Sequence, residues 1–223
     1  MMRPLPSSDF IRYVLSAENE TAEHLPSLQV LSQQLGLSVT ALREQVEVAK
    51  AIGLVEVRPR TGIRRLPYRF FPAVWQSLAC AIALDRANFA AFADLRMHLE
   101  AAYWHEAAPR LTAEDIAELQ SLMSRAWDKL NSNPVQVPHE EHRQLHLTIY
   151  RRLDNPFVQG LLEAYWQAYE SVGMNVYADL EHLRRVWSYH QQIVDALIAG
   201  NLEQGYRALI AHQNLLFVEP AHA

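Results

Sequence analysis

Apolar positions along this 223-residue chain recur mostly at helical spacing, and they change character near residue 70. In DFIRYVLSA, from Asp9 to Ala17, Phe10, Ile11, Val14 and Leu15 fall on one helical face behind a capping residue. The acidic stretch ENETAEH then reads as a loop. Ser27 opens a second helix through Leu28, Leu31 and Leu35 that stops at Gly36, and Ser38 caps a third with Leu42, Val46 and Ala49 as its buried stripe before Gly53. LVEV and IRRL, parted by a turn containing Pro and Gly, predict a β-hairpin. LPYRFFP, with a proline at each end, reads as a linker. Beyond it the pattern is helical throughout, predicting segments over 73–84, 87–108, 113–131, 139–152, 156–176, 180–199 and 202–217. Thr112 with Asp115 and Asn201 with Gln204 resemble capping boxes, and Asn155-Pro156 sets a cap before a first-turn proline.

The expected fold is therefore mainly α. A winged helix-turn-helix of three helices and a hairpin spans 1–66, a linker 67–72, and an antiparallel bundle of about seven helices 73–223. Composition agrees: half the residues are hydrophobic, a fifth are charged, and there are only seven glycines. The opening residues lack the apolar stretch of a signal peptide, and no apolar run is long enough for a membrane span. The lone Cys80 excludes an internal disulfide and suits a reducing cytoplasm; within VWQSLACAIAL it reads as a small buried side chain.

A net charge of −5 argues against nucleic-acid binding until it is divided. Residues 1–72 carry nine Lys or Arg against seven Asp or Glu, whereas the remainder carries eleven against eighteen. Two domains with different partners would segregate charge in this way, since phosphate attracts clustered cations whatever the total. Two helices joined at a glycine turn have the form of a DNA-reading helix-turn-helix, whose second helix enters the major groove. Ser38, Thr40 and Arg43 lie near the start of that helix. The hairpin carries Arg58, Arg60, Arg64 and Arg65, with Gly62 letting its tip approach a sugar-phosphate wall.

Nine of the ten histidines follow residue 97. His142 and His146 are spaced i, i+4, so their rings leave one face of a helix on adjacent turns. His190 stands ten residues before Gly200 and His212 eleven after Asn201, which puts both about 15 Å from the turn of an antiparallel hairpin, facing each other. Four converging imidazoles suit a divalent cation of borderline softness, Zn or Ni, with positions left open for water or a ligand. Such a pair or a lone histidine is more often an ordinary polar or hydrogen-bonded residue, and His98, His105, His139, His182 and His222 are read that way.

The segment from Leu25 to Gly62 resembles the winged helix of the GntR family of transcription regulators. It keeps Leu25-Pro26-Ser27, Leu31, Leu35-Gly36, Ser38, Thr40, Arg43-Glu44, Gly53-Leu54-Val55, Arg58 and Gly62. It departs at Leu28-Gln29, where the family has Glu-Arg, and at Val39, where it has Arg. LRMHLEAAYWHEAAPRLTAEDIAEL, HLTIYRRLDNPFVQGLL and HQQIVDALIAGNLEQGYRALIAH are similar to three segments of the FCD ligand domain of FadR-type GntR regulators. The resemblance spans about residues 9 to 217. It implies a cytoplasmic homodimer that binds double-stranded operator DNA through residues including Ser27 and is controlled by a small effector. It also implies a metal held by an Asp and three His; His146, His190 and His212 match the histidines, and His142 stands where the Asp would be. Arg96 matches a pocket arginine, and with Glu100 and Tyr103 at i, i+4 and i+7 it implies an organic acid as effector, although an ordinary Arg96–Glu100 helix pair is the competing reading. The rival function is a metal-dependent, hydrolase-like enzyme with a nucleic-acid-binding appendage; against it, no HExxH or comparable pairing supplies a general base. A bundle that only dimerises is a third reading.

Overall fold

The computed structural model describes residues 8–16, 23–172 and 180–215. The chain divides into two compact units, Met1–Ser77 and Leu78–Ala223.

The first unit opens with α1 (Asp9–Val14), whose cap is Ser8: its hydroxyl accepts from the Ile11 amide. Phe10, Ile11 and Val14 are buried, but Leu15, expected on the same face, is 49 % exposed because the helix has already ended there. Ala17 lies outside the described residues. α2 (Leu28–Leu35) begins at Ser27 and closes on Gly36, whose φ of 67° places it in the left-handed region that glycine tolerates. α3 (Val39–Ala51) follows from Ser38 and buries Leu42, Val46 and Ala49. These residues and Leu31 pack with α1 and the hairpin into one core.

Strands β2 (Val55–Arg58) and β3 (Gly62–Arg65) form the hairpin, antiparallel, with Val57 opposite Ile63. A third strand, β1 (His24–Leu25), pairs with the other edge of β3, His24 opposite Arg64 and Leu25 opposite Ile63. Its first residue, His24, is the last of the stretch read as a loop. The period-2 pattern that betrays a strand cannot show itself in two residues, and β1 exists because β3 offers a free edge. Gly53, with φ 74°, turns the chain out of α3; a β-carbon there would stand 2.5 Å from Cγ of Pro72.

α4 (Phe71–Leu84) crosses the boundary between the units. Among its residues Leu78 alone is buried; Cys80, read as buried from its apolar neighbours, is exposed, and Leu84 is 87 % exposed. An apolar run signals burial only when the rest of the molecule covers all sides of the helix.

In the second unit α5 (Asn88–Ala107) is followed by a 3-10 turn, Ala108–Arg110, then α6 (Ala113–Leu130), α7 (His139–Tyr150), α8 (Pro156–Ser171), α9 (Leu180–Ile198) and α10 (Leu202–Leu215). The start signals are visible as bonds. Thr112 and Asp115 form a reciprocal capping box, and the Asn155 side chain accepts from the amides of Phe157 and Val158. The Asn201 side chain accepts from the Gln204 amide, while the Gln204 side chain turns to the Asn201 side-chain amide instead of its backbone. The expected ends of α8 beyond residue 172 and of α10 beyond 215 lie outside the described residues. Trp104, Leu119, Leu122, Leu145, Ile149, Ile193 and Leu209 lie at the centre of one continuous core. Full burial of each such side chain contributes about 1.5–3 kcal/mol. Among the described residues no helix is long and apolar enough to cross a membrane.

Candidate metal centre and DNA-reading surface

Four helices of the second unit each send a polar group into its interior. α7 supplies His142 and His146, one turn apart; α9 supplies His190, α10 His212, and α5 Arg96 and Glu100. Gly200, with φ 68°, makes the tight reversal that brings α9 and α10 together antiparallel. His190 and His212 then meet as their equal distances from that turn require: their Nε2 atoms are 3.1 Å apart. His146 Nε2 lies 3.2 Å from His190 Nε2. One ligand atom from each of the four imidazoles falls within 4.8 Å of every other. His146, His190 and His212 are wholly buried and His142 is 8 % exposed.

This packing makes poor sense as hydrogen bonding alone. A neutral imidazole nitrogen holds either one proton or one lone pair, so His190 Nε2 can satisfy only one of its two close nitrogen neighbours well. His142 Nε2, His190 Nδ1 and His212 Nδ1 have no hydrogen-bond partner among the described residues. Burial pushes all four imidazoles well below their ordinary pKa; Arg96 adds to the shift in each, and neighbouring imidazoles add to it in His142, His190 and His212. Neutral rings with unshared lone pairs are what a borderline cation requires. At a metal–nitrogen distance of about 2.0–2.1 Å, tetrahedral ligand nitrogens sit roughly 3.3–3.4 Å apart, within a few tenths of an ångström of the two spacings observed. The residues fit the group.

Arg96 and Glu100 close one side. Arg96 Nε stands 2.9 Å from Glu100 Oε1, and its Nη2 is 2.9 Å from His146 Nδ1. Glu100 Oε1 is 3.1 Å from that same nitrogen. Burial raises the Glu100 pKa, opposed chiefly by the Arg96 charge. The guanidinium also lies over two rings of α8, 4.8 Å from the Tyr165 centroid and 5.2 Å from that of Trp166. Trp166 stands edge-on to His142 at 4.6 Å, and Trp187 edge-on to His190 at 4.8 Å. This aromatic wall was not anticipated; its one signal, aromatics at helical spacing, is also that of ordinary core. Tyr103 departs from the expected trio. It shares the face of Arg96 and Glu100 but stands about 10 Å along the helix from Arg96, where its hydroxyl accepts from Asn155. His98 and His105, set aside as local, bond the Asp94 carbonyl and pack on Tyr206.

In the first unit Ser27, Ser38, Thr40, Arg43, Arg58, Arg60 and Gly62 are all exposed. The Ser27 and Ser38 hydroxyls accept from the amides of Val30 and Ala41, which leaves each hydroxyl proton free to donate. Arg58 is held by Glu56, at 2.9 Å, and Arg64 by Glu23 and Glu56. Arg43 and Arg60 carry no ion pair among the described residues. Arg60 adopts φ 70° at the hairpin tip, beside Gly62 at φ 78°.

Residues 91–215, more than half the chain, match the FCD domain family. Over 199 residues the chain is 29 % identical to the uncharacterised HTH-type transcriptional regulator YieP of Escherichia coli (strain K12), covering 87 % of this chain and 85 % of that one. The chain is a GntR-family transcription regulator with an FCD domain. The regulator is also 21 % identical to the HTH-type transcriptional regulator LutR of Bacillus subtilis (strain 168), over 89 % of its own length and 92 % of that of LutR. Its fold matches a Streptococcus agalactiae GntR structure with a TM-score of 0.65 at 18 % identity, covering 93 % of this chain and 94 % of that one. Family membership makes it a DNA-binding regulator and not an enzyme, which sets the hydrolase-like reading aside.

Proposed function

We propose that this regulator is of the FadR type and binds a two-fold symmetric operator as a homodimer. Its affinity for DNA would be set by a small organic acid bound beside a divalent cation that His142, His146, His190 and His212 hold. One observation carries the sensing half: four buried, neutral imidazoles whose ligand atoms converge, with His142 Nε2 left without a hydrogen-bond partner among the described residues. Four nitrogen donors and no carboxylate favour Zn or Ni over Mg or Mn. The bound cation would act as a Lewis acid toward an effector carboxylate. Arg96 would donate to that carboxylate, and Glu100 would hold Arg96 in place. The four imidazoles are neutral and Arg96 offsets Glu100, so a filled centre keeps an excess of two positive charges, which favours an anionic effector.

On the DNA side, Ser27, Ser38 and Thr40 would donate to phosphates, Arg43 would reach a base edge or the backbone, and Arg58, Arg60 and Gly62 would lie along the sugar-phosphate wall. We assign this role to residues 1–66, joined through 67–72 to a sensing and dimerisation domain over 73–223. Coupling between effector and operator of this kind is typically about 1–3 kcal/mol, roughly 5–150-fold in affinity, and acts in both directions. The test is an electrophoretic shift assay on the DNA flanking the regulator's own gene, with metal-loaded and chelator-stripped protein and a panel of organic acids. Specific, salt-sensitive binding that one acid alters only with metal present supports the reading. Binding indifferent to both metal and acids would leave a bundle that only dimerises.

A further inference from the structure

His146 is contested by two neighbours that demand opposite tautomers. Its Nδ1 lies 2.9 Å from Arg96 Nη2, which can only donate, and 3.1 Å from Glu100 Oε1, which as a carboxylate can only accept. Serving Arg96 requires a lone pair on Nδ1 and therefore a proton on Nε2, the atom that faces His190. Serving Glu100 requires the proton on Nδ1, which turns the Nε2 lone pair toward the other three imidazoles. Both Glu100 oxygens are buried, with the Arg96 and Gln213 side chains close enough to favour the carboxylate but no well-aligned hydrogen bond among the described residues, and the Arg96 Nε beside Oε1 is likewise unbonded despite its short distance. A buried acceptor thus stands ready for a proton that the neighbouring ring can supply. Glu100 also lies at contact distance from the cluster in a chain whose position 142 holds His where the family resemblance implies Asp.

Resting on the proposed cation centre, we infer that Glu100 is a positioning residue: it accepts from His146 Nδ1–H and holds His146 as an Nε2 ligand, while Arg96 competes for the same nitrogen. Filling the centre then transfers His146 from Arg96 to Glu100 and frees the Arg96 Nη2 donor for an anion. Partners that take the second ring proton of a metal-binding histidine typically matter about 10–100-fold in metal affinity.

The experiment uses the full-length wild-type protein, stripped with chelator, labelled with nitrogen-15 in histidine and titrated with zinc ion alone. Long-range proton–nitrogen spectra report which ring nitrogen of His146 carries the proton. The expected result is Nε2–H before zinc and Nδ1–H after it. In parallel, competition with a chromophoric chelator should show E100Q binding zinc about 10–100-fold more weakly than wild type, and R96M binding at least as tightly as wild type. A merely structural ion pair would move both variants in the same direction. A His146 proton that stays on one nitrogen throughout, or R96M losing affinity in step with E100Q, overturns the inference while leaving the centre standing. No zinc uptake by the wild type overturns the centre itself, and the inference with it. If a variant fails to fold, the wild-type spectra still decide.

Discussion

Stripped of metal, the second unit should be acid-labile to an unusual degree. Four imidazoles are held neutral by burial, so each has a folded-state pKa well below 6.5, whereas in the unfolded chain each takes up a proton near 6.5. Their stabilisation is fully present above pH 6.5 and is lost as pH falls from there toward the folded-state values, because the unfolded state binds the extra protons. Once all four are protonated in the unfolded chain and none in the folded one, the slope is about 5 kcal/mol per pH unit. Glu100 works the other way. Its folded-state pKa is raised above 4.5, so the native state takes up a proton first and offsets one of the four. The net slope is then roughly 4 kcal/mol per pH unit wherever Glu100 is protonated only in the folded state. Against a total stability of about 5–15 kcal/mol, a fall of roughly one to three such units suffices to unfold most of the population. Urea denaturation followed by tryptophan fluorescence reads this unit well, since Trp104, Trp166 and Trp187 are buried there and the latter two touch the histidines. Excess zinc should shift the acid transition to lower pH. A metal-free transition steepened by a single proton or none would refute the claim that the four rings are buried and neutral together.

Other consequences follow from individual contacts. Gly205→Ala would put a β-carbon 2.6 Å from Cζ2 of the fully buried Trp104, so it should cost about 1–3 kcal/mol and lower the melting temperature by several degrees in calorimetry. Asp115→Ala removes the carboxylate that accepts from the Thr112 amide at the start of α6 and joins Arg151 and Arg152 of the α7 terminus; the cap alone accounts for about 1–2 kcal/mol in a denaturant titration, and an unchanged midpoint would contradict its role. On DNA, Arg43→Ala and Arg60→Ala should each flatten the salt dependence of operator binding by about one unit, as measured by anisotropy across a salt series. Arg58→Ala should do less, because Glu56 already holds that guanidinium.

Much of this architecture was written in local signals. Serine, threonine and asparagine caps mark helix starts, glycines mark the ends of α2 and α3, and counting outward from Gly200 pairs His190 with His212. What escaped depended on neighbours distant in the chain. β1 needed the open edge of β3, and the exposure of Cys80 and Leu15 depended on which sides of their helices were covered. The spacing of Arg96 and Glu100 announced a helix pair, but that both converge on one nitrogen of His146, fifty residues from Arg96, is a fact of helix packing that no periodicity encodes. Trp166 and Tyr165 were hidden for the opposite reason: aromatic stripes are so ordinary in cores that these two carried no distinguishing mark.

X-ray absorption at the metal edge of zinc-loaded, full-length protein tests the centre most directly. The account predicts one zinc per chain with four imidazole nitrogens at about 2.0–2.1 Å in the protein without added effector, and loss of stoichiometric uptake in His190→Ala. Zinc bound through oxygen-rich surface sites, or bound equally well after that substitution, would contradict it.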